Sequence, residues 1–248
     1  MSYPYSTSCG EIGLILHDIM DSIIPYRTDG TFVEVGANDG KTGSFTFNLA
    51  AIGWQGINIE PIPRLHAYCV ENHKTHINVK NICCAVGEKE DVLDIVDAGT
   101  LSTMDKETLD IYMKTNWSKS LFNNQEPIKT RVRKLDDVLS ENNITDIDIM
   151  VLDVEGFEEN VLKGFSINSA RPKIFIIEIP DQHTDMIKNP VCVEKYKRLR
   201  SYFVENEYDL IVNDIVDNVY VDRSIYVAHF TKLKLQSRIR FPQKVISS

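Results

Sequence analysis

The stretch Phe32-Val-Glu-Val-Gly-Ala-Asn-Asp-Gly40 decides how the whole chain is read. Its apolar run Phe32, Val33 and Val35 stops at Gly36, and small or turn-forming residues lead to the apolar-periodic segment Phe45, Phe47, Leu49. That order is written by a buried strand, a tight loop and a helix start. Gly36 and Gly40 lack a Cβ, so the backbone there can take positive φ or let a ligand come close to the main chain. The loop is expected to cradle a small molecule.

Charge narrows the choice of molecule. A dinucleotide fingerprint reads G-x-G-x-x-G, with backbone N–H groups and a helix N-terminus facing a pyrophosphate. Here the spacing is Gly36-x-x-x-Gly40, one glycine short, with Glu34 before the loop, Asp39 inside it and no basic residue until Lys41. A pyrophosphate would meet like charge. S-adenosylmethionine, which carries a sulfonium and an α-ammonium, suits that field better than NAD. About twenty residues on, the strand-like segment 55–59 ends in Glu60-Pro61, where a carboxylate can accept from both hydroxyls of a ribose. Two acids and one glycine loop therefore converge on a nucleoside.

The 248 residues suffice for one well-buried α/β domain, and 43% hydrophobic with 25% charged residues is ordinary for a globular chain. A net charge of −9 argues against coating nucleic acid, which needs a basic footprint. The N-terminus has no basic segment leading into an apolar core, and no eighteen-residue apolar run occurs, so neither secretion nor stable membrane insertion is expected. Five cysteines, Cys9, Cys69, Cys83, Cys84 and Cys192, lack metal-ligand spacing and read as reduced thiols in a cytoplasmic setting, with Cys83 and Cys84 in a strand.

Strands then alternate with helices, which predicts a mostly parallel sheet with right-handed crossovers. A leading helix over 11–24 precedes the first strand, and further strands are expected near 55–59, 79–86, 147–152, 173–179, 208–212 and 219–230. Segments 91–96 and 128–134 read as exposed strands. Between them, residues 97–126 hold Tyr112 and Trp117 and are long enough to form a lid over an acceptor. The tail over 232–248 carries Lys234, Arg238, Arg240 and Lys244 without an acid and reads as solvated.

With the full order in view, the sequence resembles the FkbM family of S-adenosylmethionine-dependent methyltransferases. The matching pieces are Glu34-Val-Gly-Ala-Asn-Asp-Gly40, Glu60-Pro61, Ala85-Val-Gly87, Lys134-Leu-Asp-Asp-Val-Leu139, Ile149-Met-Val-Leu-Asp-Val-Glu-Gly-Phe-Glu158, Val161-Leu-Lys-Gly164 and Ile177-Glu178. The block around Leu152-Asp-Val-Glu-Gly156 is the most specific to the family. Glu34 stands where the family often has Asp, and Lys134 where Thr is commoner.

The resemblance implies a Rossmann-like class I methyltransferase fold: a seven-stranded, mostly parallel sheet with helices on both faces and an antiparallel last strand. It also implies methyl transfer to a hydroxyl of a sugar, glycan or related small molecule. Carried over by residue, Glu34, Gly36, Ala37, Asn38, Asp39 and Gly40 would hold the methionine end and adenosine, Glu60 with Pro61 the ribose, and Ala85 would lie beside the adenine.

Asp153 and Glu155, at the end of a central strand, point into the crevice where open α/β sheets bind ligands; the competing reading makes them a helix cap pair. A hydroxyl must lose its proton, and the candidate bases are Asp153, Glu155, Glu178 and His183. No metal is expected from ligand spacing, although Asp153, Glu155 and Glu178 end adjacent strands and form a set that could hold a divalent ion. The competing functions are an NAD-linked oxidoreductase and a non-catalytic Rossmann-like binding module.

Overall fold

A computed structural model describes residues 2–4, 10–123 and 125–225. The basic tail, Cys9 and the expected strand residues 226–230 lie outside the described residues. Seven strands form the main sheet: β1 (Thr31–Val35), β2 (Gln55–Ile59), β3 (Val79–Ile82), β7 (Ile147–Leu152), β8 (Pro172–Glu178), β9 (Tyr208–Asn213) and β10 (Asp217–Asp222). Their order is β3-β2-β1-β7-β8-β10-β9. The first five run parallel, and β10 slots antiparallel between β8 and β9, as expected of the last strand.

Alternation along the central strands explains why the sheet is covered on both faces. Val33, Val35, Met150, Leu152, Phe175 and Ile177 enter one core, while Phe32, Ile149, Val151, Ile174 and Ile176 enter a second one on the opposite face. Successive side chains of a strand point to opposite sides, so a strand covered on both faces reads as a nearly continuous apolar run. Every residue of β1 and β7 is buried. Helix α1 (Gly10–Ile23) and the short α2 (Phe47–Ala51) cover the second face with Leu16, Ile19, Met20, Ile23 and Leu49. On the first face, α5 (Leu135–Glu141), α6 (Glu158–Lys163) and α7 (Pro190–Glu205) contribute Val138, Val161, Leu199 and Phe203. The remaining early helix, α3 (Pro63–Asn72), carries the chain from β2 to β3.

Three details go beyond the sequence reading or differ from it. The expected strand over 79–86 is broken into β3 and β4 (Ala85–Val86), so Cys83 and Cys84 sit between strands, the first exposed and the second buried. The two exposed strands are partners: β5 (Asp91–Ile95) pairs antiparallel with β6 (Ile128–Arg133), which also pairs with β4 in a small second sheet. Residues 97–126 are not an appended flap. They include α4 (Lys106–Lys114), and Ala98, Tyr112 and Phe122 are buried in the main core. Sequence periodicity missed α4 because its apolar face is short; its N-cap Asp105, which accepts from Thr108 N, was the available signal.

Candidate active site

The sheet order reverses at β1, with β2 on one side and β7 on the other. Ligands of such sheets bind outside the carboxyl ends of the strands at this switch point. Gly36 follows β1, Glu60 follows β2 and Asp153 follows β7. A cleft of about 950 Å³, counted to its open mouth, lies there, lined by Glu34, Gly36, Ala37, Asn38, Glu60, Pro61, Ala85, Asp153 and Glu155 among others.

The loop after β1 is built from backbone geometry that few side chains tolerate. Gly36 has φ +82°, and a Cβ there would lie 1.7 Å from the Asp153 carbonyl oxygen. The glycine is therefore required first by the close approach of two strand ends. Gly36→Val is thus not expected to spare the fold, contrary to an argument from cofactor approach alone. Gly36 N and Ala37 N donate to the Ile59 carbonyl at 3.0 and 3.1 Å, and Asn38, with φ +52°, donates its N–H to Glu60 Oε2 at 2.8 Å. The other oxygen of Glu60 accepts from Ile62 N at 2.8 Å. Glu60 consequently fixes the loop as well as facing the cleft.

Asp39 and Gly40, expected at the ligand, do not line the cleft. Asp39 accepts from Lys41 N, Thr42 N and Thr42 Oγ1, closing the loop on itself. Gly40 backs onto α3, where a Cβ would meet Cys69 Sγ at 2.5 Å, and its carbonyl contacts His73 Nε2 at 2.7 Å. Residues the sequence reading did not single out complete the wall: Thr42, Ser44, Phe45, Cys84, Gly99, Thr100, Ser102 and Met104. Four of these belong to residues 97–126, so that stretch serves the first cleft as well as the second cavity.

That second cavity, of about 640 Å³, adjoins the cleft through the shared residues Asp153 and Glu155; Glu178, His183, Asp217, Tyr112 and Trp117 also line it. Oxygen atoms of Asp153, Glu155 and Glu178 lie within 4.8 Å of one another. Desolvation first, and the neighbouring carboxylates second, raise the pKa of all three, although Asp153, open to both cavities, is itself exposed. Asp217 is pushed up to about 6 by burial and by Asp214. His183 stands with its ring 5.9 Å from that of Trp117, and its Nδ1 is 3.3 Å from Asp185 N, which donates to it.

Glu155 has φ +52° and Gly156 φ +95°, a turn locked from several sides. Tyr112 O–H donates to the Glu155 carboxylate, Thr103 Oγ1 donates to the Glu155 carbonyl at 2.6 Å, and Lys195 Nζ donates to the Gly156 carbonyl at 2.8 Å. The helix-cap reading of Asp153 and Glu155 is overturned, because the N-cap of α6 is Phe157 and no side chain caps that helix end. Glu158 Oε1 instead clasps the turn before the helix, accepting from Val154 N and Gly156 N, each at 3.1 Å. Asp153 and Glu155 are left facing the cavities. At the inner end of the cleft, Glu34 is buried and accepts from Ser44 Oγ at 2.8 Å and from Thr46 Oγ1, while desolvation raises its pKa.

A glycine turn at a sheet switch point, an acid at the end of the second strand and carboxylates at the ends of the next two define a nucleoside-binding α/β protein of the methyltransferase type. The methyltransferase FkbM domain profile matches residues 34–210, and the chain belongs to that family. Its cofactor is S-adenosylmethionine. The residues present fit that group, since the cleft is of small-molecule size and its buried acids offer acceptors and negative charge.

Among solved structures, the O-methyltransferase TomG from Streptomyces achromogenes, in complex with S-adenosylmethionine, is 10% identical with a TM-score of 0.50, covering 89% of this chain and 82% of its own. The fibrillarin pre-rRNA processing protein of Methanococcus jannaschii is 14% identical, with a TM-score of 0.44 over 88% of this chain and 77% of its own. The likeness to TomG concerns the fold. No curated protein matches the chain significantly. Among the described residues, no helix is long and apolar enough to cross a membrane.

Proposed function

We propose that this protein transfers the methyl group of S-adenosylmethionine to a hydroxyl of a sugar, glycan or related small molecule. The observation that carries this reading is the junction of the two cavities at Asp153 and Glu155. A donor held in the first cavity and an acceptor in the second would meet beside a carboxylate. Glu34, Gly36, Ala37 and Asn38 would hold the methionine end of the cofactor, Glu60 with Pro61 its ribose, and Ala85 its adenine.

The sulfonium activates the methyl carbon, so the chain's part is to align the acceptor, exclude water and remove one proton. Asp153 reaches both cavities, and its raised pKa makes it a usable base near neutral pH. Glu155, fixed by Tyr112, positions the acceptor. Glu178 and His183 shape the far wall.

The test is a methyl-transfer screen with labelled cofactor against sugars, glycolipids and hydroxylated small molecules, preceded by titration with S-adenosylmethionine and with NAD. Transfer to a hydroxyl is expected. Binding of NAD alone would give the site to hydride chemistry, and binding of neither would leave a non-catalytic module.

Glu60 provides a sharper check on the ribose assignment. Burial pushes its pKa up to about 7, against the backbone donors Ile62 and Asn38, which lower it. A ribose donates to the carboxylate and so binds the ionised form. Adenosine affinity is therefore expected to rise roughly tenfold between pH 6 and pH 8. Glu60→Gln should flatten that profile. An equal pH dependence in the Gln variant would remove Glu60 from the ribose site.

A further inference from the structure

The acceptor cavity has an unbalanced charge. Asp153, Glu155, Glu178 and Asp217 all line it, and among the described residues no lysine or arginine does. The nearby cations are engaged elsewhere. Lys195 reaches Asp105 and the Gly156 carbonyl, Lys188 reaches Asp185, and Arg200 is held by Asp181, Asn213, Asn218 and Tyr220. His183 is the one basic side chain lining the cavity among the described residues.

The sheet register sets two of these acids face to face. Asp217 on β10 pairs directly with Glu178 on the antiparallel β8. Like charges placed opposite one another across two strands destabilise the pairing. With no cation among them, these four carboxyl groups hold their protons more tightly than usual, and a bound cation would favour their ionised form. The remaining wall is apolar or aromatic, with Leu101, Tyr112, Trp117, Pro180, Met186 and Val216. A hard metal ion prefers oxygen and water all round, whereas an organic ammonium favours carboxylates on one side and an aromatic face on the other. Trp117 is 50% exposed, and its ring stands 5.7 Å from that of Tyr112.

Resting on the methyl-transfer reading, we propose that the acceptor is cationic: a hydroxylated molecule carrying a protonated amine, held by its charge between Glu178, Asp217 and the Trp117 face. The protonated nitrogen has no lone pair and serves as the handle. The hydroxyl oxygen forms the new bond to the methyl carbon, the carbon–sulfur bond breaks with its electron pair going to sulfur, and the hydroxyl proton passes to a carboxylate.

The test uses the full chain saturated with S-adenosylhomocysteine and reads Trp117 fluorescence against the constant background of the fully buried Trp54. The probes are two charge-matched pairs, glucosamine with glucose and choline with 3,3-dimethylbutan-1-ol, together with magnesium chloride. The charged member of each pair is expected to bind about tenfold more tightly than its neutral partner. Asp217→Asn should reduce that preference at least severalfold while leaving S-adenosylhomocysteine affinity unchanged. Trp117→Phe, read by calorimetry, should weaken choline more than it weakens the neutral alcohol.

Equal binding within each pair, or no saturable response to either charged probe, would overturn the proposal. Magnesium that binds and displaces choline would also overturn it by assigning the carboxylates to a metal. Failure of S-adenosylhomocysteine to bind would instead strike at the methyl-transfer reading, so the two failures are distinguishable.

Discussion

Asp153→Asn is expected to lower the rate of methyl transfer by about 10²–10⁴-fold, the span for loss of a positioned general base. The side chains are nearly equal in size, so the cavity junction keeps its shape while losing a proton acceptor. Stability separates this from a folding defect. In the folded protein Asp153, though exposed at the cavity junction, is raised above its ordinary value by desolvation and then by the charges of Asp217, Glu158, Glu34 and Glu60. A carboxyl with a raised folded pKa binds its proton more tightly when folded, so stability falls as pH rises from about 4 through the folded value. The Asn variant never ionises. It should melt with the parent at pH 5 and above it at pH 8.5. Thermal melts at both pH values, with single-turnover transfer on the same samples, check this. Full transfer by the variant would move the base to Glu155, Glu178 or His183.

Gly36→Val has the largest expected effect on the fold. At φ +82° a branched residue meets left-handed strain of roughly 1–2 kcal/mol. Its Cβ would also be driven to 1.7 Å from the Asp153 carbonyl, adding overpacking of about 1–3 kcal/mol. The sum, about 2–5 kcal/mol, corresponds to a melting temperature lowered by roughly 5–15 °C in a chain of this length. Cofactor binding should vanish with it, because relieving the overlap moves the turn that carries Asp153. Circular dichroism melts and titration with S-adenosylhomocysteine are the measurements. A variant that melts like the parent yet fails to bind would show that the glycine serves the ligand and that the strand ends can part. Gly36→Ala, without the branch, should show the same losses at smaller size.

The connection between β5 and β6 also reaches both cavities. Met104, Ser102, Thr100 and Gly99 touch the first cleft, and Tyr112 and Trp117 the second, so residues 97–126 bridge both. Replacing the stretch with a flexible linker would uncover the core at Ala98, Tyr112 and Phe122. A lid exchanged between relatives without those anchors is expected to fail by unfolding before it fails by specificity.

The sequence by itself determined the order of the main-sheet strands and most of their helices, the loop after β1 and the acids at strand ends. These are local properties: apolar alternation, glycine freedom and turn chemistry act over a few residues and are written in consecutive positions. Glu34, Glu60, Asp153 and Glu178 were legible for that reason, each standing where an apolar run ends or turns polar.

Only the tertiary structure decided what those residues touch. Gly36 is tied to Asp153 across a gap of more than a hundred residues, and no local pattern records that contact. Asp39 reads as a ligand in sequence but is consumed by its own turn. Glu158, the first residue of α6, became the buried clasp of the 153–156 turn. The facing of Asp217 and Glu178 depends on β10 entering antiparallel beside β8, a pairing of strands about forty residues apart. Charge placed by local sequence acquires its chemistry from desolvation and neighbours, and both are properties of the folded chain.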